Sequence, residues 1–347
     1  MGMAASPRSQ ICDRVSTKPW PVWAIATNSC IAMRLGLRFG GLGLHRPHLP
    51  PMKDWIAGAR PRTLPAALVP VLVGTAAAAG MNGDTNALKG LIIWRFVAAL
   101  VVSLALQVGV NYANDYSDGI RGTDADRVGP MRLTGSGRKK ASAVKCAAFL
   151  SFGVAAVAGL GLAAATSWWL IAVGLVAIAA AWFYTGGPRP YGYAGLGEVF
   201  VFVFFGIVAT TGSAFVQIER VTPLTFLVSI PVGLFATALL VVNNLRDIPG
   251  DTESGKRTLA VRLGDKRTRI FYIVLVVLPF ITVPFLCGLS QRPAGALSMF
   301  AVLLARKPVQ RVIEGARGPA LIPVLGATGK IQLAFGVLIS AGLFIGG

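Results

Sequence analysis

Apolar residues in this chain come in runs too long for a soluble core. Leu91–Val110, Val144–Ala165 and Val199–Val216 each approach or reach twenty nearly uninterrupted apolar positions, the length that crosses a bilayer's hydrocarbon as helix. Only 14% of the 347 residues are charged, against 54% hydrophobic, where soluble domains carry about a quarter charged. The backbone of such a chain must satisfy its own hydrogen bonds in lipid, so the sequence predicts an all-α polytopic membrane protein. Spans are expected near 64–80, 91–113, 143–165, 167–185, 197–217, 223–244, 270–289, 294–305 and 331–346, about nine helices around a central cavity open to the membrane. The linkers are modest and leave no room for an inserted soluble domain.

The formal charge of +19 suggests nucleic acid until its placement is considered. Lys and Arg sit in loops between apolar spans, where membrane orientation and lipid phosphate explain them, so no nucleic-acid partner is expected. The segments before the first span and after the second, sixth and eighth hold most of them; the opposite connections carry little beyond Lys89, Arg220 and Arg292. The N-terminus and the loops after the second and sixth spans are therefore placed in the cytoplasm, and an odd span count puts the C-terminus outside. Cys12, Cys30, Cys146 and Cys287 are scattered without a C-x-x-C pair, indicating neither a disulfide framework nor a zinc site. His45 and His48 both precede the first span, which excludes histidine chemistry within the membrane.

Residues 1–51 differ from the rest: Arg-rich, with the single acid Asp13 and no sustained periodicity. They are expected to be a disordered or non-native extension, with the membrane domain occupying 52–347 and Met52 reading as a natural start.

Two polar clusters close apolar runs. The first is Asn111-Tyr-Ala-Asn114-Asp115-Tyr-Ser-Asp118, continuing to Asp124, Asp126 and Arg127; the second is Asn243-Asn244-Leu-Arg246-Asp247-Ile-Pro-Gly-Asp251, continuing to Lys256. Both place Asn at i and Asp at i+4, on one helical face. Eight of the 14 acids lie in or beside these clusters (Asp115, Asp118, Asp124, Asp126, Asp247, Asp251, Glu253, Asp265). Carboxylates with Asn amides and no His or Cys select a hard cation, and Mg²⁺ favours a few carboxylates plus substrate phosphates. Two such rows face to face can hold Mg²⁺ around one diphosphate, with Arg127, Arg132 and Lys256 neutralising the remainder. The diphosphate then becomes a good leaving group, and its membrane setting makes the rest of that substrate a lipid. For isolated acids such as Asp84, a helix cap is the better explanation. Paired rows at membrane helix ends are costly to keep and point to function.

A third polar island, Tyr184-Thr-Gly-Gly-Pro-Arg189-Pro-Tyr191-Gly-Tyr193, suits an aromatic or carboxylated co-substrate. Each Tyr alone fits an interfacial aromatic belt equally well.

At these residues the chain resembles the UbiA-type intramembrane prenyltransferases, whose hallmarks are N-D-x-x-D-x-x-x-D and D-x-x-x-D. Asn114-Asp115-Tyr-Ser-Asp118 and Asp247-Ile-Pro-Gly-Asp251 match, while Gly122 stands where the third Asp is usual and Asp124 follows two residues later. That variant, with Gly58-Ala-Arg60-Pro and Lys256-Arg-Thr-Leu-Ala, is similar to the menaquinone-pathway branch acting on 1,4-dihydroxy-2-naphthoate, in its actinobacterial form. The resemblance implies Mg²⁺ on Asn114, Asp115, Asp118, Asp124, Asp247 and Asp251. It also implies diphosphate contacts from Asn111, Arg127, Arg132, Asn243 and Lys256, and an acceptor pocket at Arg60, Tyr184 and Arg189. The implied substrates are a polyprenyl diphosphate and an aromatic acid, and the implied location is the bacterial cytoplasmic membrane with the site on the cytoplasmic side. Rival readings are a hydroxybenzoate or porphyrin acceptor, and a cation-coupled transporter. Transporter acids lie near the midplane, whereas these close the spans beside Arg and Lys. A CDP-alcohol phosphotransferase needs Asp-Gly-x-x-Ala-Arg, but Asp118-Gly119 is followed by Ile-Arg-Gly-Thr.

A chain beginning at Met52 should keep full membrane activity; its loss would make the first fifty residues functional.

Overall fold

A computed structural model of the chain describes residues 51–81, 89–123 and 131–346. The N-terminal extension 1–50 and the candidate ligands Asp124 and Arg127 lie outside the described residues. Among the described residues every regular element is helical: α1 (Pro51–Gly58), α2 (Pro65–Ala78), α3 (Ile93–Ile120), α4 (Ala141–Ala165), α5 (Trp169–Phe183), α6 (Gly197–Ile218), α7 (Pro223–Glu253), α8 (Leu259–Leu289), α9 (Val302–Ile313) and α10 (Ile322–Ile345).

Six of the described helices are long and apolar enough to cross a membrane, and α1 with α2, bent by 54°, makes a possible seventh. The nine expected from hydropathy are not reached by length and composition. With 15 residues, α5 extends only about 22 Å, less than the ~30 Å hydrocarbon core. The expected eighth span is a 3₁₀ stretch, Pro293–Ala301, running into α9, whose Arg306, Lys307 and Arg311 break the apolar pattern.

The larger departure is at the helix ends. Hydropathy stopped the second and sixth spans near 113 and 244, but α3 continues to Ile120 and α7 to Glu253. Asn and Asp end an apolar run without ending a helix. At 28 residues, α3 is about 42 Å long, longer than the ~30 Å hydrocarbon core, and the polar row occupies its last turns.

The main core joins α2, α7, α8 and α10. Phe235, Phe280 and Phe335 meet there with ring centroids 4.9–6.0 Å apart, and Val69, Val242 and Ile339 are fully buried around them. The α4–α5 side is thinner. Every residue of α5 keeps some exposure. Leu170, Ile171, Gly174, Ala177, Ile178 and Ala181, at three- and four-residue spacing, line an internal cavity, while Trp169, Val176 and Phe183 face outward.

At the end away from the polar rows, cations are used as helix caps. Arg95 donates to the carbonyls of Val216 (2.9 Å) and Ala165 (2.8 Å), and Arg292 to those of Leu343 (3.0 Å) and Ala79 (2.8 Å). Lys89 donates to Phe344 (2.6 Å) and Arg220 to Met81 (2.7 Å). The exceptions to the loop-charge pattern thus satisfy the carbonyls left over where helices end.

Helix α2 touches α6 backbone to backbone at Gly74. A Cβ there would sit 2.1 Å from the Thr210 carbonyl oxygen, so only glycine permits this spacing. Gly74→Ala is expected to destabilise the protein by about 1–3 kcal/mol, read as a lowered thermal midpoint in detergent. Gly212→Ala, whose Cβ would meet nothing within 4 Å, should leave that midpoint in place.

Candidate active site

The extended end of α3 presents Asn111, Asn114, Asp115 and Asp118 on one face, and the fold gives each a different partner. Asn111 donates through Nδ2 to the carbonyl of Ala59 (2.9 Å) and to Thr63 Oγ1 (3.2 Å). Asn114 accepts from Thr185 Oγ1 (2.8 Å). Asp115 and Asp118 share a face, but their tasks separate. Both oxygens of Asp115 accept backbone N–H groups, from Leu133 (2.8 Å) and Thr134 (2.9 Å). Asp115 thereby anchors the loop that brings in Arg132, and it is not among the residues lining the cavity.

Asp118 does line the cavity. Its carboxylate, 3% exposed, accepts from the Tyr193 hydroxyl (2.5 Å), Lys256 Nζ (3.2 Å) and Arg132 Nη2 (3.3 Å). Lys256 also lies 4.7 Å from the centroid of the Tyr193 ring. Lys256 arrives because the chain turns back after α7: Gly255 takes φ 74°, a conformation glycine adopts without cost. The Lys256 N–H then bonds to the Asp251 carbonyl (2.8 Å), and the Arg257 N–H to that of Tyr193 (2.9 Å). Burial first, then the Asp118 charge and hydrogen bond, push the Tyr193 phenol above its ordinary value. It remains a neutral donor.

On α7, Arg246 grips its neighbour Asp247 through Nε (2.7 Å) and Nη2 (2.8 Å), and Nη2 also reaches Asn243 Oδ1 (2.9 Å). Asn244 donates to Glu198 Oε1 (2.9 Å), a buried acid of α6. Asp247, Asp251, Asn243 and Asn244 line the same cavity as Asn114 and Asp118. The two rows, separate in sequence, share one space.

That cavity has a volume of about 820 Å³. Beyond the polar end it runs between α3, α4, α5 and α6 to Ala99, Leu162, Leu170 and Val216. Asp118 and Ala99 are 19 residues apart on α3, about 28 Å. A polar head and a long apolar tail thus suit a charged amphiphile. Among the described residues no three acidic, His or Cys side chains converge closely enough to hold a metal alone. The oxygen donors would need phosphate oxygens to complete a shell, as Mg²⁺ sites usually do.

Of the expected acceptor residues, Arg60 and Tyr184 line the cavity, whereas Arg189 is exposed and outside its lining. Arg60 stands at the α1–α2 bend with φ 53°, an unfavourable region for a residue with a side chain. The bend is held by Thr63, whose backbone N–H and hydroxyl both bond the Arg60 carbonyl (2.9 Å each), and by the Asn111 contact to Ala59. Arg60 Nη2 is buried without a hydrogen-bond partner.

Residue order did not single out Thr185, Arg246 or Glu198 as site residues, and it placed Tyr193 in the third polar island without its bond to Asp118. Glu198 carried a usable signal, as a lone acid inside an apolar run. Thr185 carried none, since its role comes from Arg121, which donates to the carbonyls of Thr185 and Gly187 and ties that turn to the end of α3.

The chain matches the UbiA prenyltransferase family over residues 67–318. It is 47% identical over 293 residues to a 1,4-dihydroxy-2-naphthoate octaprenyltransferase of Mycobacterium tuberculosis, covering 84% of this chain and 97% of that one. With the protein of that description from Escherichia coli it shares 35% identity over 299 residues, covering 84% and 95%. A UbiA homologue from Archaeoglobus fulgidus, solved with DMAPP and Mg²⁺, superposes with a TM-score of 0.58 at 14% identity, covering 83% of this chain and 99% of that one. By its sequence, and with a fold that agrees, the chain belongs to the UbiA prenyltransferase family.

Proposed function

We propose that the protein transfers a polyprenyl group from polyprenyl diphosphate to 1,4-dihydroxy-2-naphthoate with loss of diphosphate and CO₂, giving the quinol that becomes demethylmenaquinone after a separate oxidation, in menaquinone biosynthesis. The observation that carries this reading is the shared cavity, with acids from α3 and α7 at one end and an apolar tunnel behind them. Relatives of that description at 33–47% identity support the acceptor.

In this reading Asp118, Asp247 and Asp251, with Asn114 and Asn243, hold Mg²⁺ together with the diphosphate, and Asp124 and Arg127 complete the set. Bound there, Mg²⁺ supplies neutralisation of the charge that develops on the leaving diphosphate. Lys256 and Arg132 add fixed positive charge beside it. Tyr193, neutral and bonded to Asp118, keeps that carboxylate aimed at the cavity. Arg60 offers its unpartnered Nη2 to the acceptor carboxylate, and Tyr184 packs against the ring. The allylic carbon–oxygen bond breaks, a carbon–carbon bond forms at the carboxyl-bearing ring carbon, and CO₂ departs to restore aromaticity. Asp115 is a positioning residue that holds the loop carrying Arg132. Arg189, exposed and outside the cavity lining, is not among the acceptor contacts in this reading.

The membrane placement follows. Trp169–Phe183 and residues 293–313 would be two short crossings, bringing the total to nine. The N-terminus and the site face the cytoplasm of a bacterial cell.

Membranes containing the protein, given Mg²⁺, a polyprenyl diphosphate and carboxyl-labelled aromatic acids, should prenylate the naphthoate and release labelled CO₂. Preference for 4-hydroxybenzoate would replace the acceptor assigned here. Asp118→Ala and Asp247→Ala should each lower the rate by about 100-fold or more, comparable to losing a fixed transition-state contact. An unimpaired rate in either would remove the carboxylates from the reaction. Because the Tyr193 phenol is raised above 10.0, the ultraviolet difference between wild type and Tyr193→Phe should show no phenolate below that pH. Phenolate appearing near pH 9 would contradict the burial of Tyr193 beside the Asp118 carboxylate.

A further inference from the structure

Arg246 is the least explained charge in the cavity wall. Its side chain is 1% exposed, and two of its three nitrogens are committed, Nε and Nη2 to Asp247 and Asn243. The third, Nη1, is buried with no hydrogen-bond partner, although the residue lines the cavity. A guanidinium presents five N–H donors in a rigid plane, and leaving two of them unmade inside a protein is a cost that a bound acceptor would remove. Such a donor on a cavity wall marks a place for an anion.

Resting on the prenyl-transfer reading above, we propose that Arg246 binds the diphosphate through Nη1, and that its grip on Asp247 competes with the divalent cation. Cation and diphosphate therefore enter as one complex. The planar fork suits phosphate oxygens. Both oxygens of Asp247 accept from the same guanidinium, so a divalent ion approaching that carboxylate alone meets a fixed positive charge a few ångströms away. Diphosphate reverses the balance, because its negative charge attracts the ion and Nη1 together. The lack of any preformed three-ligand cluster among the described residues agrees with a metal site that the substrate completes.

The test uses the full chain in nanodiscs and reads binding, not turnover. Mn²⁺ alone is titrated by its paramagnetic resonance signal, and inorganic pyrophosphate is titrated by calorimetry in excess Mg²⁺. In Arg246→Gln, Mn²⁺ alone should bind about fivefold more tightly, because a neighbouring positive charge is gone. Pyrophosphate should bind about tenfold or more weakly, because a charge-assisted donor is gone. Opposite movement of the two affinities is the signature, and a merely structural arginine would weaken both. Arg246→Lys keeps the charge without the fork and should recover part of the pyrophosphate affinity; it carries the same test if the Gln variant does not fold. Unchanged pyrophosphate affinity, or Mn²⁺ binding that stays level or falls, would overturn the role of Arg246 alone. Failure of the wild type to bind pyrophosphate with Mg²⁺ would overturn the transfer reading with it.

Discussion

Asp118 is where separate stretches of the chain have to meet. A carboxylate buried near lipid is tolerated only if opposite charge and hydrogen bonds are brought to it, and α3 alone supplies neither. Tyr193 comes from the α5–α6 connection, Lys256 from the turn after α7, and Arg132 from the α3–α4 loop. Each of these segments is itself fixed nearby: the Arg132 loop by Asp115, the Tyr193 turn by the Arg257 N–H, and Lys256 by the reversal at Gly255. Closing one ion cluster thus closes the polar end of the bundle.

The two ends of the molecule use charge differently. Away from the site, Arg95 and Arg292 direct donors at helix carbonyls, and Arg95 also pairs with Glu219. At the site, cations are set against carboxylates that a metal would also seek, and donors on Arg60 and Arg246 remain unmatched by protein partners. Buried donors of this kind cost stability unless a ligand takes them up. Where Arg60 and Arg246 carry such donors on the wall of the cavity, anionic substrate groups are the ligands that match them.

The apolar half follows a complementary logic. The side of the bundle holding α2, α7, α8 and α10 is packed around a cluster of phenylalanines, whereas α5 lines the tunnel with aliphatic and small residues such as Leu170, Ile178 and Ala181 and keeps Trp169 and Phe183 on its outer face. Rigidity on one side and a thin wall on the other give an isoprenoid chain space without loosening the carboxylate rows.

Much of this could be read from residue order. Long apolar runs dictate membrane helices because lipid offers no partners to the backbone, and Asn-to-Asp spacing of four dictates a common helical face. Both are local effects and survive without knowledge of neighbours. Which member of a row faces the cavity is not local. Asp115 and Asp118 are three residues apart and chemically identical, yet one is taken by the N–H groups of Leu133 and Thr134 and the other by three side chains from distant loops. Arg189 and Arg60 look alike as acceptor residues, but only the bend at Arg60 turns one inward. The helix ends at 120 and 253 were likewise invisible to hydropathy, which measures transfer into lipid and not the continuity of a hydrogen-bonded backbone. Long-range packing made these choices, because the alternatives differ only in which partners lie within reach.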